Sequence, residues 1–101
     1  MPSAYDLAAI KRLVRQHEYV ITATALRSAF ELGFDDAGIC RCITQALDST
    51  HFYKSMPSEK HPGLRQDVYI LTYEGVRLYV KLQISNGKCV VISFKEEGSL
   101  F

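Results

Sequence analysis

The feature that most constrains the fold is a pair of runs, residues 78–84 and 90–95, in which apolar and polar side chains alternate. The even positions carry Leu, Val, Leu and Ile in the first run, and Val, Ile and Phe in the second. Alternation with a period of two predicts β-strands with one buried and one exposed face. The segment between the runs, Ser-Asn-Gly-Lys at 85–88, predicts that they form a hairpin.

The length of the hairpin loop decides which side chains share a face. A two-residue Asn86-Gly87 loop would mix the apolar and polar sets, whereas a three-residue loop over 85–87, with Gly87 as a bulge, sets Tyr79 opposite Ser93. We predict the three-residue loop, because a slip of one residue would lose the hydrophobic match. The even apolar residues then share one face, and the other face suits an anion; it carries Tyr79, Lys81, Gln83, Ser93 and Lys95.

The composition limits the size and the class of the protein. A chain of 101 residues predicts a single domain over 1–101 with one modest core. The net charge of +1 argues neither for nor against nucleic acid, so a basic site must come from local clustering. The three cysteines, and the absence of a signal-peptide or membrane-span pattern, favour a reduced, cytoplasmic protein without membrane contact. No Cys or His pairs have zinc spacing, so we expect no metal and no cofactor.

The first half of the chain has helical periodicity. A capping box formed by Ser3 and Asp6 predicts a helix that runs to about residue 17, and residues 19–21 read as an edge strand. Two more helices are predicted. One is capped by Thr22 or Thr24, has an apolar stripe of Leu26, Ala29 and Phe30 at helical spacing, and stops at Gly33. The other is capped by Asp35 and ends near Asp48.

The second half has strand periodicity. Strands are predicted at 52–56 and 66–73, with a loop over 57–65 between them. A two-residue turn at Glu74-Gly75 sets Gln66 opposite Gln83 and so adds Gln66 to the polar face, but the long loop leaves the register of Lys54 open. The predicted fold is α+β, with N-terminal helices packed on one face of a mostly antiparallel sheet.

The polar face suggests chemistry on RNA. Lysines and a tyrosine suit phosphodiester cleavage without a metal, because the ribose 2′-OH supplies the nucleophile and the protein need only position, move protons and neutralise charge. We expect Lys81, Tyr53 and Arg65 to contact the RNA. The residues alone leave an alternative open, a catalytically silent surface that binds RNA or a protein.

Five segments together resemble the MqsR toxins, the motility quorum-sensing regulator family. The similarity runs from about residue 10 to 97, and its motifs are Glu-Leu-Gly at 31–33, Phe-Tyr-Lys-Ser-Met at 52–56, Gln-Asp-Val-Tyr at 66–69, Leu-Tyr-Val-Lys at 78–81 and Val-Ile-Ser-Phe-Lys-Glu at 91–96. The resemblance implies a RelE-like fold and the toxin half of a type II toxin–antitoxin pair. Members of the family cleave mRNA at GC-containing triplets and need no metal.

The resemblance also implies site residues and partners. The family's proposed active residues fall on Lys54, Gln66, Tyr79 and Lys95, three of which the strand register alone assigns to the polar face. The expected partners are mRNA and a cognate antitoxin, a zinc-binding protein with a helix-turn-helix domain. DNA is expected to be reached only through that antitoxin.

Overall fold

A computed structural model describes residues 2–98 of the chain. Helices occupy the first half and four of the five strands the second, as α1 (Leu7–Arg15), β1 (Tyr19–Ile21), α2 (Ala23–Glu31), α3 (Asp36–Arg41), β2 (Phe52–Pro57), β3 (Arg65–Tyr73), β4 (Val76–Ser85) and β5 (Lys88–Glu96). Helix α3 continues as a π-helical stretch, Cys42–Ala46, and a 3₁₀ turn at Ser49–His51 leads into β2.

The strands form one sheet in the order β1-β5-β4-β3-β2. The neighbours from β2 to β5 pair antiparallel, and β1 pairs parallel to β5 at the edge, with Tyr19 beside Cys89. Buried residues of all three helices pack against one face of the sheet. The α+β prediction and the edge position of residues 19–21 are confirmed. A single domain over 1–101 extends past the described residues and stays a prediction.

The helix ends follow from side-chain caps. Thr22 accepts a hydrogen bond from the Ala25 amide, Asp35 accepts one from Gly38, and Gly33 ends α2 at a positive φ of 91°. Two details of the prediction are wrong. Asp6 itself caps α1 through the Ala8 amide, so Ser3 does not begin the helix. Phe30 is 61% exposed, because Ala25 and Ala29 carry the buried stripe of α2.

The core lies between the helices and the sheet. The helical layer contributes three fully buried residues to this core, Ile10, Ile39 and Ile43. Phe34 joins the two layers, since its ring packs edge-on against Phe94 at 5.4 Å between centroids. Two buried thiols, Cys42 and Cys89, also lie in this core, and burial raises the pKa of each to about 12.

The β4–β5 hairpin differs from the prediction. Its loop is the two-residue Asn86-Gly87, with both residues at positive φ, 53° and 73°, and Ser85 pairs with Lys88. With this loop alone, apolar residues of β4 would lie opposite polar residues of β5. An extra residue in β5, Ile92, shifts the register by one and restores the match. Beyond this bulge Tyr79 pairs with Lys95 rather than with Ser93.

The bulge determines which side chains reach the core. Leu78, Val80, Leu82 and Phe94 are buried as predicted. Between the turn and the bulge, the odd-numbered residues of β5 face the core instead of the even-numbered ones. Cys89 and Val91 are therefore buried there, while Val90 and Ile92 are only half-buried. The prediction that all seven even apolar residues share the core face is therefore wrong for Val90 and Ile92.

The turn between β3 and β4 has the predicted two-residue form. Glu74 and Gly75 both have positive φ, and the register sets Ile70 opposite Tyr79 and Val68 opposite Lys81. On the other side of β3, a bulge at Tyr53 precedes the pairing of Lys54 with Val68. Val68 is completely buried yet lies outside the helix-side core, because it belongs to the opposite face of the sheet.

A buried carboxylate fixes the N-terminal segment to β3. Asp67 is 0% exposed and accepts hydrogen bonds from the backbone amides of Ala4 at 3.0 Å and Tyr5 at 2.9 Å. The Tyr5 hydroxyl donates to the carbonyl of Arg65 at 2.7 Å. We call this group of contacts the N-terminal clamp. It holds the segment before α1 against the end of β3 that also carries Gln66.

Candidate active site

The face of the sheet opposite the helices carries three cross-strand rows of side chains. Strand pairing defines them: Ile70, Tyr79 and Lys95 in the first row, Lys54, Val68, Lys81 and Ser93 in the second, and Met56, Gln66 and Gln83 in the third. We call this surface the polar face. Rows lie about 6.6 Å apart along a strand and neighbouring strands about 4.8 Å apart, so the three rows fit one stretch of nucleic acid or peptide.

Tyr79 lies close to the ammonium groups of two lysines, Lys81 and Lys95. The ammonium of Lys95 is 5.2 Å from the centroid of its ring and that of Lys81 is 5.8 Å away. Cations at this distance from an aromatic ring are held by its quadrupole. The Lys54 ammonium lies 5.6 Å from the ring of Tyr53 in the same way. Two tyrosines and three lysines thus form one cluster.

The cluster changes the acidity of two of its members. Burial lowers the pKa of Lys81, and the positive charges of Lys95 and Lys54 lower it further, against an opposite effect from Glu59. Burial, together with the nearby Tyr53, raises the pKa of Tyr79. Tyr79 is therefore a neutral phenol that can donate a proton, and the Lys81 ammonium loses its proton more readily than an ordinary lysine.

Gln66 is held in place by a chain of amides. Its Nε2 donates to the Oε1 of Gln83 at 3.1 Å, and the Nε2 of Gln83 donates to the hydroxyl of Ser85 at 3.3 Å. Both carboxamides are largely buried, at 7% and 6% exposure. A side chain held in this way loses little conformational freedom when a ligand binds to it.

Two cavities open onto the polar face. One, of about 550 Å³, is lined by Tyr53, Lys54, Ile70 and Tyr79 and by residues near the ends of β2 and β5. The other, of about 430 Å³, contains Gln66, Lys81 and Gln83 and is bounded by the loop Ser58–His61. Three residues of the cluster, Tyr53, Lys54 and Tyr79, line the first cavity, and Lys81 lines the second.

The structure brings most of the predicted site residues together. Tyr53, Lys54, Gln66, Tyr79, Lys81 and Lys95 all lie on the polar face or at its border. Arg65 does not join them, because it alternates with Gln66 along β3 and lies on the helix side. There its guanidinium donates to the hydroxyl of Ser55 at 3.3 Å.

One residue that contacts this group, Gln83, is not among the predicted site residues. Gln83 was assigned to the polar face opposite Gln66 by the strand register, but a carboxamide carries no charge that would mark it as chemical. The signal that could have identified it was its pairing with Gln66.

Two further features bear on ligands and surroundings. Within residues 2–98, no group of three His, Cys, Asp or Glu side chains comes together to hold a metal ion. No helix in the described part of the chain is both long and apolar enough to cross a bilayer.

Comparison with known proteins identifies a family and a relative that this chain resembles. The model of the family described as motility quorum-sensing regulator, toxin of MqsA, matches residues 2–96. The mRNA interferase toxin MqsR of Escherichia coli strain K12 is 34% identical over 91 residues, which cover 90% of this chain and 91% of the relative. The matched region includes every strand of the sheet and all the residues of the polar face.

Proposed function

The chain belongs to the motility quorum-sensing regulator toxin family, and from this premise we propose that it is an endoribonuclease toxin that cleaves mRNA with the polar face. The observation that supports the proposal most strongly is the position of Lys95 and Lys81 within 6 Å of the Tyr79 ring. A phosphodiester bound there meets two positive charges and a neutral phenol. These groups can neutralise the charge of the phosphate and transfer a proton. Both are required when the 2′-OH of the ribose is the nucleophile.

The proposed reaction is an attack by the ribose 2′-oxygen on the adjacent phosphorus. The bond between the 2′-oxygen and phosphorus forms while the bond to the 5′-oxygen breaks, so one product ends in a 2′,3′-cyclic phosphate and the other begins with a 5′-OH. One of Lys54 and Lys95, as the free amine, accepts the proton of the 2′-OH, and the other, as the ammonium, neutralises the phosphate. Tyr79 donates a proton to the leaving 5′-oxygen or stacks on a base, and Gln66 holds the substrate. Lys81 and Tyr53 supply further RNA contacts.

Expression of the protein alone in bacteria tests this function. We expect growth arrest together with mRNA fragments that carry 5′-OH ends. A protein that binds RNA through the polar face but leaves growth and RNA length unchanged is the silent binder that the sequence left open. That outcome would overturn the proposal, and a gel-shift measurement with the same RNA would identify it.

Metal removal provides a second test. Because the lysines supply positive charge at the phosphate, we expect cleavage of a purified RNA to keep its rate when EDTA is added to excess. A ribonuclease known to need Mg²⁺, assayed in the same buffer, serves as the control. A loss of activity that added Mg²⁺ restores would contradict the proposed mechanism.

Titration of Lys81 provides a third test. The ammonium binds phosphate and the free amine does not, so RNA affinity should fall as the pH rises through the lowered pKa of Lys81, before ordinary lysines lose their protons. In Lys81→Arg the charge persists, and the decrease should move to higher pH. The measurement is the dissociation constant for a non-cleavable 2′-deoxy substrate against pH. Identical curves for the two proteins would exclude Lys81 as a phosphate contact.

The family description, toxin of MqsA, also indicates an antitoxin as the protein partner. We propose that this partner is a zinc-binding protein with a helix-turn-helix domain, so that DNA is reached only through the complex. An mRNA substrate would place the protein's action in the cytoplasm. Co-purification with the product of the neighbouring reading frame, with zinc measured in the complex, tests both points.

A further inference from the structure

The cavity of about 430 Å³ beside the cation cluster has a defined floor and walls. Its floor consists of Gln66 from β3, Lys81 and Gln83 from β4, and Ile92 from β5. Its walls are the loop Ser58–His61, which lies over the polar face, and the start of α2 at Thr22 and Thr24. We call this cavity the amide pocket. Its volume is within the range of pockets that bind small molecules.

The two carboxamides of the amide pocket keep groups available for a ligand. The bond between them uses one N–H of Gln66, and the bond to Ser85 uses one N–H of Gln83. Each amide therefore retains a second N–H, and the Oε1 of Gln66 remains an acceptor. In the described part of the chain no fully buried side-chain nitrogen or oxygen lacks a hydrogen-bond partner, so this oxygen, on a residue that lines the cavity, is not fully buried.

The bulge in β5 adds an apolar surface to this polar site. Ile92 is the extra residue, and its half-buried side chain lines the pocket beside Lys81 and Gln83. A donor and an acceptor held side by side, next to an apolar wall, match the edge and the face of a nucleobase. Carboxamides read base edges through such paired hydrogen bonds, and single-stranded RNA offers unstacked bases for this purpose.

The distance to the proposed cleavage centre also fits. Gln83 lies two rows from Tyr79, which is roughly 13 Å along β4. Lys81 lies in the row between them and would meet the intervening phosphate. A base in the amide pocket therefore belongs to a nucleotide one or two positions from the phosphate bound at Tyr79.

We propose that the amide pocket binds one unstacked nucleobase of the RNA, and that Gln83 together with Gln66 determines which base is accepted. This inference rests on the proposed function, since it concerns the substrate of the same face. Gln83 then has two functions: it contacts the base, and it holds the carboxamide of Gln66 in the orientation that the base requires.

The experiment combines changes in the protein with changes in the RNA. A cleavable oligonucleotide is prepared with a single abasic site, and with each of the four bases in turn, at each position around the cut. Single-turnover rates are measured for the wild type, Gln83→Leu and Gln83→Glu. The control is Gln45→Leu, the same substitution at an exposed glutamine outside the polar face. Thermal unfolding of each variant identifies the folded fraction.

For the wild type and Gln45→Leu, we expect an abasic site at one particular position to slow cleavage by about 10- to 100-fold. In Gln83→Leu this penalty should fall to within about threefold, because the contact that the base makes is already lost. Gln83→Glu keeps the acceptor for Gln66 and loses its N–H donors, so its preference should shift toward bases that donate at that position.

The outcomes separate the two claims. A wild type that cuts RNA, with the same abasic penalties in all four proteins, would overturn the amide pocket and leave the proposed function intact. A wild type that cuts none of the oligonucleotides would overturn the proposed function itself. If Gln83→Leu fails to fold, the changed preference of Gln83→Glu decides the question.

Discussion

Lys95→Ala should abolish growth arrest and lower the single-turnover rate of RNA cleavage by about a hundredfold or more. Lys95 pairs with Tyr79 across the strands, and its ammonium lies 5.2 Å from the Tyr79 ring, so its removal takes away charge where the phosphate is expected. The side chain lies on the polar face and not in the core, so the free energy of unfolding should change by no more than about 0.5 kcal/mol.

A lysine on the same strand provides the matched control. Lys88 pairs with Glu18 in an exposed salt bridge of 2.9 Å, away from the Tyr79 cluster, so Lys88→Ala should remain toxic. Two changes at Tyr79 separate its possible roles: Tyr79→Phe keeps the ring and loses the proton, while Tyr79→Ala loses both. A fully toxic Lys95→Ala, or one that is inactive only because it is unfolded, would show that the active site is elsewhere.

Asp67→Ala should cause the largest loss of stability among single changes near the site, about 2–4 kcal/mol. The buried carboxylate accepts both backbone bonds of the N-terminal clamp, and alanine would leave the amides of Ala4 and Tyr5 without partners. For a chain of this length the melting temperature should fall by roughly 10–25 °C. Thermal unfolding followed by circular dichroism measures the change.

Two variants calibrate this result. Asp67→Asn keeps one acceptor oxygen and should lose only part of the stability. Asp48 also accepts a backbone amide, from Thr50, but it is exposed, and Asp48→Ala should have a much smaller effect. A melting temperature of Asp67→Ala equal to that of Asp48→Ala would mean that the clamp does not stabilise the fold.

Alternation of polar and apolar residues predicted the polar face correctly along β4, which has no bulge. Along β4 it assigned Tyr79, Lys81 and Gln83 to one face, and the structure agrees. The predicted length of the β4–β5 loop was wrong. An offset of one residue between the apolar positions of the two strands can be corrected either by a longer turn or by a bulge within a strand. Both solutions restore the pattern at Lys95, so the sequence did not distinguish a three-residue loop from a two-residue loop followed by a bulge at Ile92.

Other positions depended on information that no local pattern contains. The register of Lys54 could not be counted across the predicted loop over 57–65. In the folded sheet a bulge at Tyr53 precedes the pairing of Lys54 with Val68. Arg65 is a different case, because β3 begins at this residue and strand alternation places its side chain on the face opposite Gln66. Its positive charge and its place next to Gln66 favour an RNA contact, but its guanidinium contacts Ser55 on the helix side.

The parallel pairing of β1 with β5 has a consequence for the order of folding. It joins positions 70 residues apart, as in the bond between Thr22 and Ile92, and such distant contacts form slowly because a long loop must first close. The hairpins β3–β4 and β4–β5 close through two-residue turns and need no distant partner. We expect the meander that carries the polar face to form early, with β1 and the first helix joining it late.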